Sequence, residues 1–475
     1  MRAPALLALF ALGCPPSEDT SAPPDTPPDS TPDTDTDSGV DTVLGEVTWR
    51  LHEDIGSLVY VGWEAEAPVT ARVEFRRDDE QEWHSTPPRA LDAGPVEFLL
   101  LGLPFATDFV FRAALEGADE TTYSQEHRST TGPLPEGLPL PQVHVANPDL
   151  WEPTGVYLLS SVDEATGGWV AGDFWRFIID REGRVVWAQK TPEHHWTTYQ
   201  RISRSGTDLM WDEFTFWSNW DQGAGSKVHR SKIDGSEVEV TATPGGHHAW
   251  AELPDGSLAW GSATWGTEVL KVQPPGGEIS ILWDCQAFSK ERGIVRTCQS
   301  NTLNWDEASD SFLYSFYTTN LVVQIDRTTG TTLRVFGADY GDYAFDPSES
   351  AFAWQHGCVF TDTGHLLLST HTTDRPEEEE RTVAREYEVD DENMALHQVW
   401  SFGADLELNA NTAGEAHRLP NGNTLHNYGS YGRIREVTPD GTIVWDVDWR
   451  IDLPDDVDRL IGRSVFIEDL YTFAP

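Results

Sequence analysis

Two rhythms of apolar and polar positions divide the chain. From residue 45 to about 131, "VTWRL", "SLVYVGWEA", "VTARVEF" and "VEFLLLGLPFATDFVFRAAL" alternate apolar with polar residues between turn-rich stretches. A period of two is the mark of half-buried antiparallel strands and predicts a small β-sandwich. From about 155 to 447 a longer unit recurs with drift, clearest in "HHAWAELPDGSLAWGSATWGTEVLKVQPPGGEISILWD" and "GEAHRLPNGNTLHNYGSYGRIREVTPDGTIVWDV". Each copy reads as four short strands. An apolar strand is reversed by Pro-Asp-Gly or Pro-Asn-Gly, two strands follow, and a strand ending in Trp closes. Such a unit cannot bury both faces alone, and units of about 40 to 50 residues packed radially make a β-propeller. Six units begin near Gly155, His194, His247, Cys298, Ala353 and Gly414. Trp187, Trp283, Phe336, Trp400 and Trp445 close them as wedges between blades, and the second unit lacks such a residue. The predicted class is all-β: a six-bladed β-propeller over 145–475, preceded by a β-sandwich over 45–131.

Composition narrows the partners. Lys plus Arg is 32 and Asp plus Glu is 79, a formal charge of −47, which disfavours nucleic acid and an anionic membrane surface as partners. Residues 1–14, "MRAPALLALFALGC", carry one Arg and an apolar run too short to span a bilayer, the pattern of a secretion signal. Its end, "ALGC", resembles the bacterial lipobox, which implies acylation of Cys14 and a lipid anchor as the only membrane contact. Pro15 follows the Cys, and the expected location is the outer membrane or cell surface. Residues 15–44 are nearly devoid of apolar side chains and rich in Pro, Asp, Ser and Thr, so a disordered tether is expected there. An oxidising compartment would let Cys285 pair with Cys298, with twelve residues between them, leaving Cys358 as a small buried side chain.

Register points to a site. His248 stands eight residues before the turn glycine Gly256, and His356 eight before Gly364. Both therefore fall at the start of an innermost strand, where side chains ring one mouth of the channel. Gln299 takes the corresponding place in the fourth unit. Returning second strands should bring Tyr317, His371, Tyr431 and Arg433 to the same mouth. His417 stands five before Gly422, on the other side of its strand, and reads as structural. No third ligand shares the register of the two His, so neither a metal nor a cofactor is expected. The acidic run "RPEEEER" lacks a calcium-loop pattern and reads as a solvated loop.

Two resemblances follow from these segments. "LGLPFATDFVFR" is similar to the fibronectin type III pattern, with Leu101, Gly102, Leu103, Thr107, Phe111 and Arg112 in place and Phe109 where that family carries Tyr. The propeller region resembles the bacterial arylsulfotransferase family. "HHAWAELPDGSLAW", "QSNTLNWDEASDSFLYSFYTTNLVVQIDRTTG", "WQHGCVFTDTGHLLLS" and "LPNGNTL…GRIREVTPDGTIVW" look like its blades, and "GRSVFIEDLY" like its closing segment. The resemblance implies transfer of a sulfuryl group from an aryl sulfate to a phenol through a sulfated histidine, without a soluble cofactor. Carried over by position, His356 is the nucleophile and His248 a supporting His. The family's next His is Gln299 here and its Arg is Tyr317, so two cationic positions are lost. Two readings stand: a sulfuryl transferase in which His371 or Arg433 restores the charge, or a non-catalytic propeller whose channel mouth binds a small aromatic ligand, a glycan or a protein.

Overall fold

In the computed structural model, the structure describes residues 45–475 apart from 118, 165–172, 193, 217–220, 265, 374–375, 377–378, 452, 455–456 and 458. Cys14 and the stretch 15–44 lie outside the described residues.

The alternating N-terminal segments pair into two antiparallel sheets. Thr48–Leu51, Val59–Ala65 and Gly94–Leu100 make one. Val69–Arg77 and Asp108–Glu116 are the heart of the other. Their inward residues, among them Val61, Trp63, Val73, Phe98, Phe109 and Phe111, form one core. This layer is sewn to the rest of the molecule. Phe105 N–H donates to the Val185 carbonyl (3.1 Å), Leu101 N–H to the Tyr471 hydroxyl (3.2 Å), and Ile55, Leu58, Leu101 and Phe105 share a core with Val185, Trp187 and Ile233. Gly102 adopts φ +92°, and a Cβ there would stand 2.6 Å from the Tyr157 hydroxyl, so only glycine lets the two layers approach.

The repeats form six sheets in chain order, the blades of a β-propeller, antiparallel except for the edge strand Ala344–Asp346 of blade 5, which pairs in parallel. Innermost strands are Gln200–Ile202 (blade 2), Gly246–Glu252 (blade 3), Ser300–Asp306 (blade 4), Ala353–Phe360 (blade 5) and Glu415–Arg418 (blade 6). The first repeat supplies three strands of blade 1, Tyr157–Asp163, Phe174–Asp180 and Val185–Lys190. Its innermost strand is Val465–Ile467, from the far end of the chain. Gln142–Ala146 likewise adds an outer strand to blade 6, pairing with Ile443–Asp448. Blade 1 thus departs from the four strands per copy expected along the repeats, because it borrows its innermost strand, while blade 6 has four strands of its own copy and gains a fifth.

The closing tryptophans do more than fill space. Trp187 Nε1 donates to the Ile233 carbonyl of blade 2 (2.7 Å), Trp283 to Thr332 of blade 4 (3.1 Å), Trp400 to the Pro439 carbonyl of blade 6 (3.0 Å) and Trp445 to the Arg181 carbonyl of blade 1 (2.9 Å). Trp187, Trp283 and Trp445 bury their rings and Trp400 is half-buried, and each indole N–H finds its acceptor on the next blade. Between blades 3 and 4 the helix Cys285–Arg292 is capped by Asp284, which accepts from Ala287 N–H (2.9 Å). A disulfide joins Cys285 to Cys298 across it, with Cα atoms 6.1 Å apart. Cys358 is free and buried. Among the described residues no helix is long and apolar enough to cross a membrane.

Candidate functional site

Every blade brings the start of its innermost strand to one end of the channel. A cavity of about 220 Å³ there is lined by Thr198 and Tyr199 from blade 2, His248 from blade 3, Asn301 from blade 4, His356 from blade 5 and Ala413 leading into blade 6. Arg463, just ahead of the closing strand of blade 1, completes the ring, and the walls are aromatic: Trp196, Tyr317 and Trp354. The volume suits a small ligand rather than a polymer.

Backbone irregularity aims these side chains. The ladder of blade 3 shifts register between Gly246 and Trp250, that of blade 4 between Ser300 and Thr302, and that of blade 5 on both sides of His356. A bulge turns a side chain out of simple alternation, and here each one sits on a cavity residue. Trp354 (φ 53°) and Ala413 (φ 59°), both on the wall, adopt the left-handed region that non-glycine residues avoid, at a cost of about 1–3 kcal/mol each. Trp354 is held in it by its N–H donating to Asn320 Oδ1 (2.9 Å), and its carbonyl accepts from His356 Nδ1 (2.9 Å).

That last bond fixes the chemistry of His356. A carbonyl can only accept, so Nδ1 carries the proton and Nε2 of the neutral ring presents a lone pair. Burial, with Arg463 and His371 nearby, pushes its pKa down to about 3 despite the Trp354 bond, so the ring is neutral at pH 7. Burial and the neighbouring His247, His356 and Arg463 likewise hold His248 well below its ordinary value. Tyr317 is raised by burial and by the Glu268 carboxylate, so its hydroxyl remains a donor.

Arg463 spans the channel. Its guanidinium donates to the Gly414 carbonyl on one side and to the Asn301 carbonyl (3.2 Å) and Thr302 Oγ1 (2.7 Å) on the other. It lies 5.1 Å from the Tyr199 ring centre. Glu415 balances it (3.4 Å). Burial opposes ionisation of Glu415, but His417 and Arg463 outweigh it and bring its pKa to about 2. Tyr199 and Arg463 also bound a second cavity, which reaches His417, where His417 Nε2 is bonded to Glu415 (2.7 Å).

The structure therefore brings His248, Tyr317 and His356 together and leaves four expected residues out. Gln299 precedes the strand Ser300–Asp306, and the residue of that segment on the cavity wall is Asn301, at the bulge. His371 is buried with its ring nitrogens committed to Glu380 (3.3 Å) and the Ala410 carbonyl (2.9 Å). Arg433 is clamped by both oxygens of Asp446 (2.6 Å each). Tyr431 lies under the Arg450 guanidinium, 4.1 Å from its ring centre. The cation at the cavity is Arg463, not His371 or Arg433. Counting back from turn glycines could not find it, because the closing strand follows no repeat turn; its signal was the Arg of "GRSVFIEDLY". Among the described residues no group of three His, Cys, Asp or Glu side chains is placed to hold a metal ion.

Comparison with known proteins adds a family likeness over part of the chain. No curated protein matches the chain. Similar solved structures include a protein of unknown function from Bacteroides caccae, at 15% identity over 66% of this chain and 99% of that one, with a TM-score of 0.43. A catalytically inactive virginiamycin B lyase from Staphylococcus aureus, solved with quinupristin, gives 9%, 68%, 99% and 0.39. A second protein of unknown function, from Bacteroides thetaiotaomicron, gives 11%, 87%, 99% and 0.34. At these TM-scores the likenesses say nothing of activity. The model of the family described as arylsulfotransferase (ASST) matches residues 289–450. That stretch contains Asn301, Tyr317, Trp354 and His356, while the fold adds His248 and Arg463 from outside it, and over the matched residues the chain is arylsulfotransferase-like.

Proposed function

We propose that this protein transfers a sulfuryl group from an aryl sulfate to a phenol through His356. The observation that carries the reading is the Nδ1 bond to the Trp354 carbonyl, which leaves a neutral imidazole with its Nε2 lone pair free to attack sulfur at the aromatic-walled cavity. Arg463 supplies the charge and the Tyr317 hydroxyl a donor for sulfate oxygens that gain charge in the transition state, in the manner of an oxyanion site. Trp196 and Trp354 supply flat apolar surface for the aryl ring. The Gln299 and Tyr317 replacements do not empty the site of charge, because Arg463 borders it.

Incubation with 4-nitrophenyl sulfate and a phenol, followed by mass spectrometry of the peptide containing residue 356, tests this. A sulfated His356 and phenol-dependent release of nitrophenol are expected, with both lost in His356→Ala and the melting temperature little changed. Release at the wild-type rate in that variant would remove His356 from the reaction. Absence of transfer together with saturable binding of phenols would leave the non-catalytic reading.

A further inference from the structure

Behind His248 lies a buried chain of polar groups that the reading above does not use. The Glu268 side chain is fully buried, as is that of His247, and His247 Nε2 lies 3.3 Å from Glu268 Oε1. His247 Nδ1 lies 2.7 Å from His248 Nδ1. Glu268 also accepts from the Ser300 N–H (2.8 Å) and from the hydroxyls of Ser300 and Tyr314. Of these residues only His248 reaches the cavity.

The bond pattern permits two proton arrangements. Glu268 is ionised: burial works against its charge, but His247 and the two hydroxyls more than offset this and leave its pKa below the ordinary value. An ionised carboxylate only accepts, so His247 Nε2 carries a proton in both arrangements. A single proton lies between the two Nδ1 atoms. With it on His248, that ring's Nε2 is a lone pair and a base. With it on His247, the imidazolium rests against Glu268, His248 Nδ1 accepts, and His248 Nε2 carries an N–H and is an acid.

We propose that Glu268, His247 and His248 form a proton relay serving both half-reactions, an assignment that rests on the sulfuryl-transfer reading. In the first half-reaction the bond from His356 Nε2 to sulfur forms and the bond from sulfur to the aryl oxygen breaks, its electron pair leaving with oxygen. That oxygen takes the His248 Nε2 proton while the His247 Nδ1 proton passes to His248 Nδ1. In the second, the incoming phenol returns a proton to His248 Nε2, the Nδ1 proton moves back to His247, the phenolate oxygen bonds to sulfur, and the electrons of the nitrogen–sulfur bond return to His356. No proton need be exchanged with solvent. His248 is the group that touches substrate; His247 and Glu268 act through it.

The test compares leaving groups of different acidity. Nitrophenolate is a stable anion whose departure depends little on proton transfer in the transition state, whereas phenolate depends on it strongly, so Glu268→Gln and His247→Gln should each raise the ratio of kcat/KM for 4-nitrophenyl sulfate over phenyl sulfate about 100-fold, the low end of general-acid effects. Equal losses on both substrates would overturn the relay. Should Glu268→Gln fail to fold, His247→Gln carries the same comparison. Nitrogen-15 spectra of the histidine rings give a readout that needs no turnover: His247 Nε2 should be protonated in wild type, and the His248 tautomer should change when either partner is substituted. An unprotonated His247 Nε2, or an unchanged His248, overturns the relay even in an active enzyme. Wild-type protein inert to aryl sulfates sinks the sulfuryl-transfer reading instead, while the ring spectra still decide whether Glu268 sets the proton on His248.

Discussion

Arg463 shows how one side chain can be structural and chemical at once. Its fork ties the innermost strands of blades 4 and 6 together while one face borders the cavity. Replacing it with Met leaves the buried Glu415 with His417 alone beside it, and breaking a buried ion pair typically costs about 3–5 kcal/mol. A loss of transfer in Arg463→Met alone would therefore be ambiguous. The double variant Arg463→Met with Glu415→Gln removes that buried charge as well. It should recover most of the melting temperature yet remain about 100-fold or more below wild type in kcat/KM, the scale of losing one transition-state donor. Recovery of transfer along with stability would make Arg463 a strut and nothing more. Arg463→Lys keeps the charge without the planar fork, and should fall between the two.

At the scale of elements, the legible parts of the sequence were those that repeat. Pro-Asp-Gly turns and closing tryptophans located the blades, and the shared spacing of His248 and His356 from their turn glycines placed both on one cavity. Spacing failed where no turn glycine anchors the count. In blade 4 the paired residues Asp306 and Ser311 enclose a shorter turn without glycine, and Asn301, rather than Gln299, reaches the wall. It failed again for Tyr431 and Arg433, whose partners Arg450 and Asp446 come from their own blade and the segment just after it. The strand Val465–Ile467 escaped because it lacks a repeat around it, yet it pairs with Tyr157, Leu158 and Leu159 to complete blade 1. Removing residues 465–475 should therefore unfold more than a tail. It strips the inner edge from blade 1 beside the Trp445 contact to Arg181, and a broadened, lowered thermal transition with loss of transfer is expected. A melting curve superimposable on that of the full chain would show that the ring holds without this strand.

The whole molecule carries a charge of −47, and this decides how it can meet a membrane. Anionic headgroups repel such a chain at distances set by the Debye length, about 8 Å at physiological salt, so an electrostatic contact is unfavourable. The remaining route is covalent. We propose that Cys14 is acylated and that the Pro- and Asp-rich stretch 15–44 spaces the folded part from the bilayer. Buried acyl chains contribute about 0.8 kcal/mol per methylene and are insensitive to salt, and more than one chain is needed for stable anchoring. Wild-type protein should then stay with the membrane fraction through a wash in 1 M salt, on the order of a 3 Å screening length, and leave it in detergent. Cys14→Ser should appear in the soluble fraction with transfer activity unchanged, because the cavity is built wholly from residues 196–463. Unchanged partitioning of that variant, or release of the wild type by salt alone, would defeat the anchor.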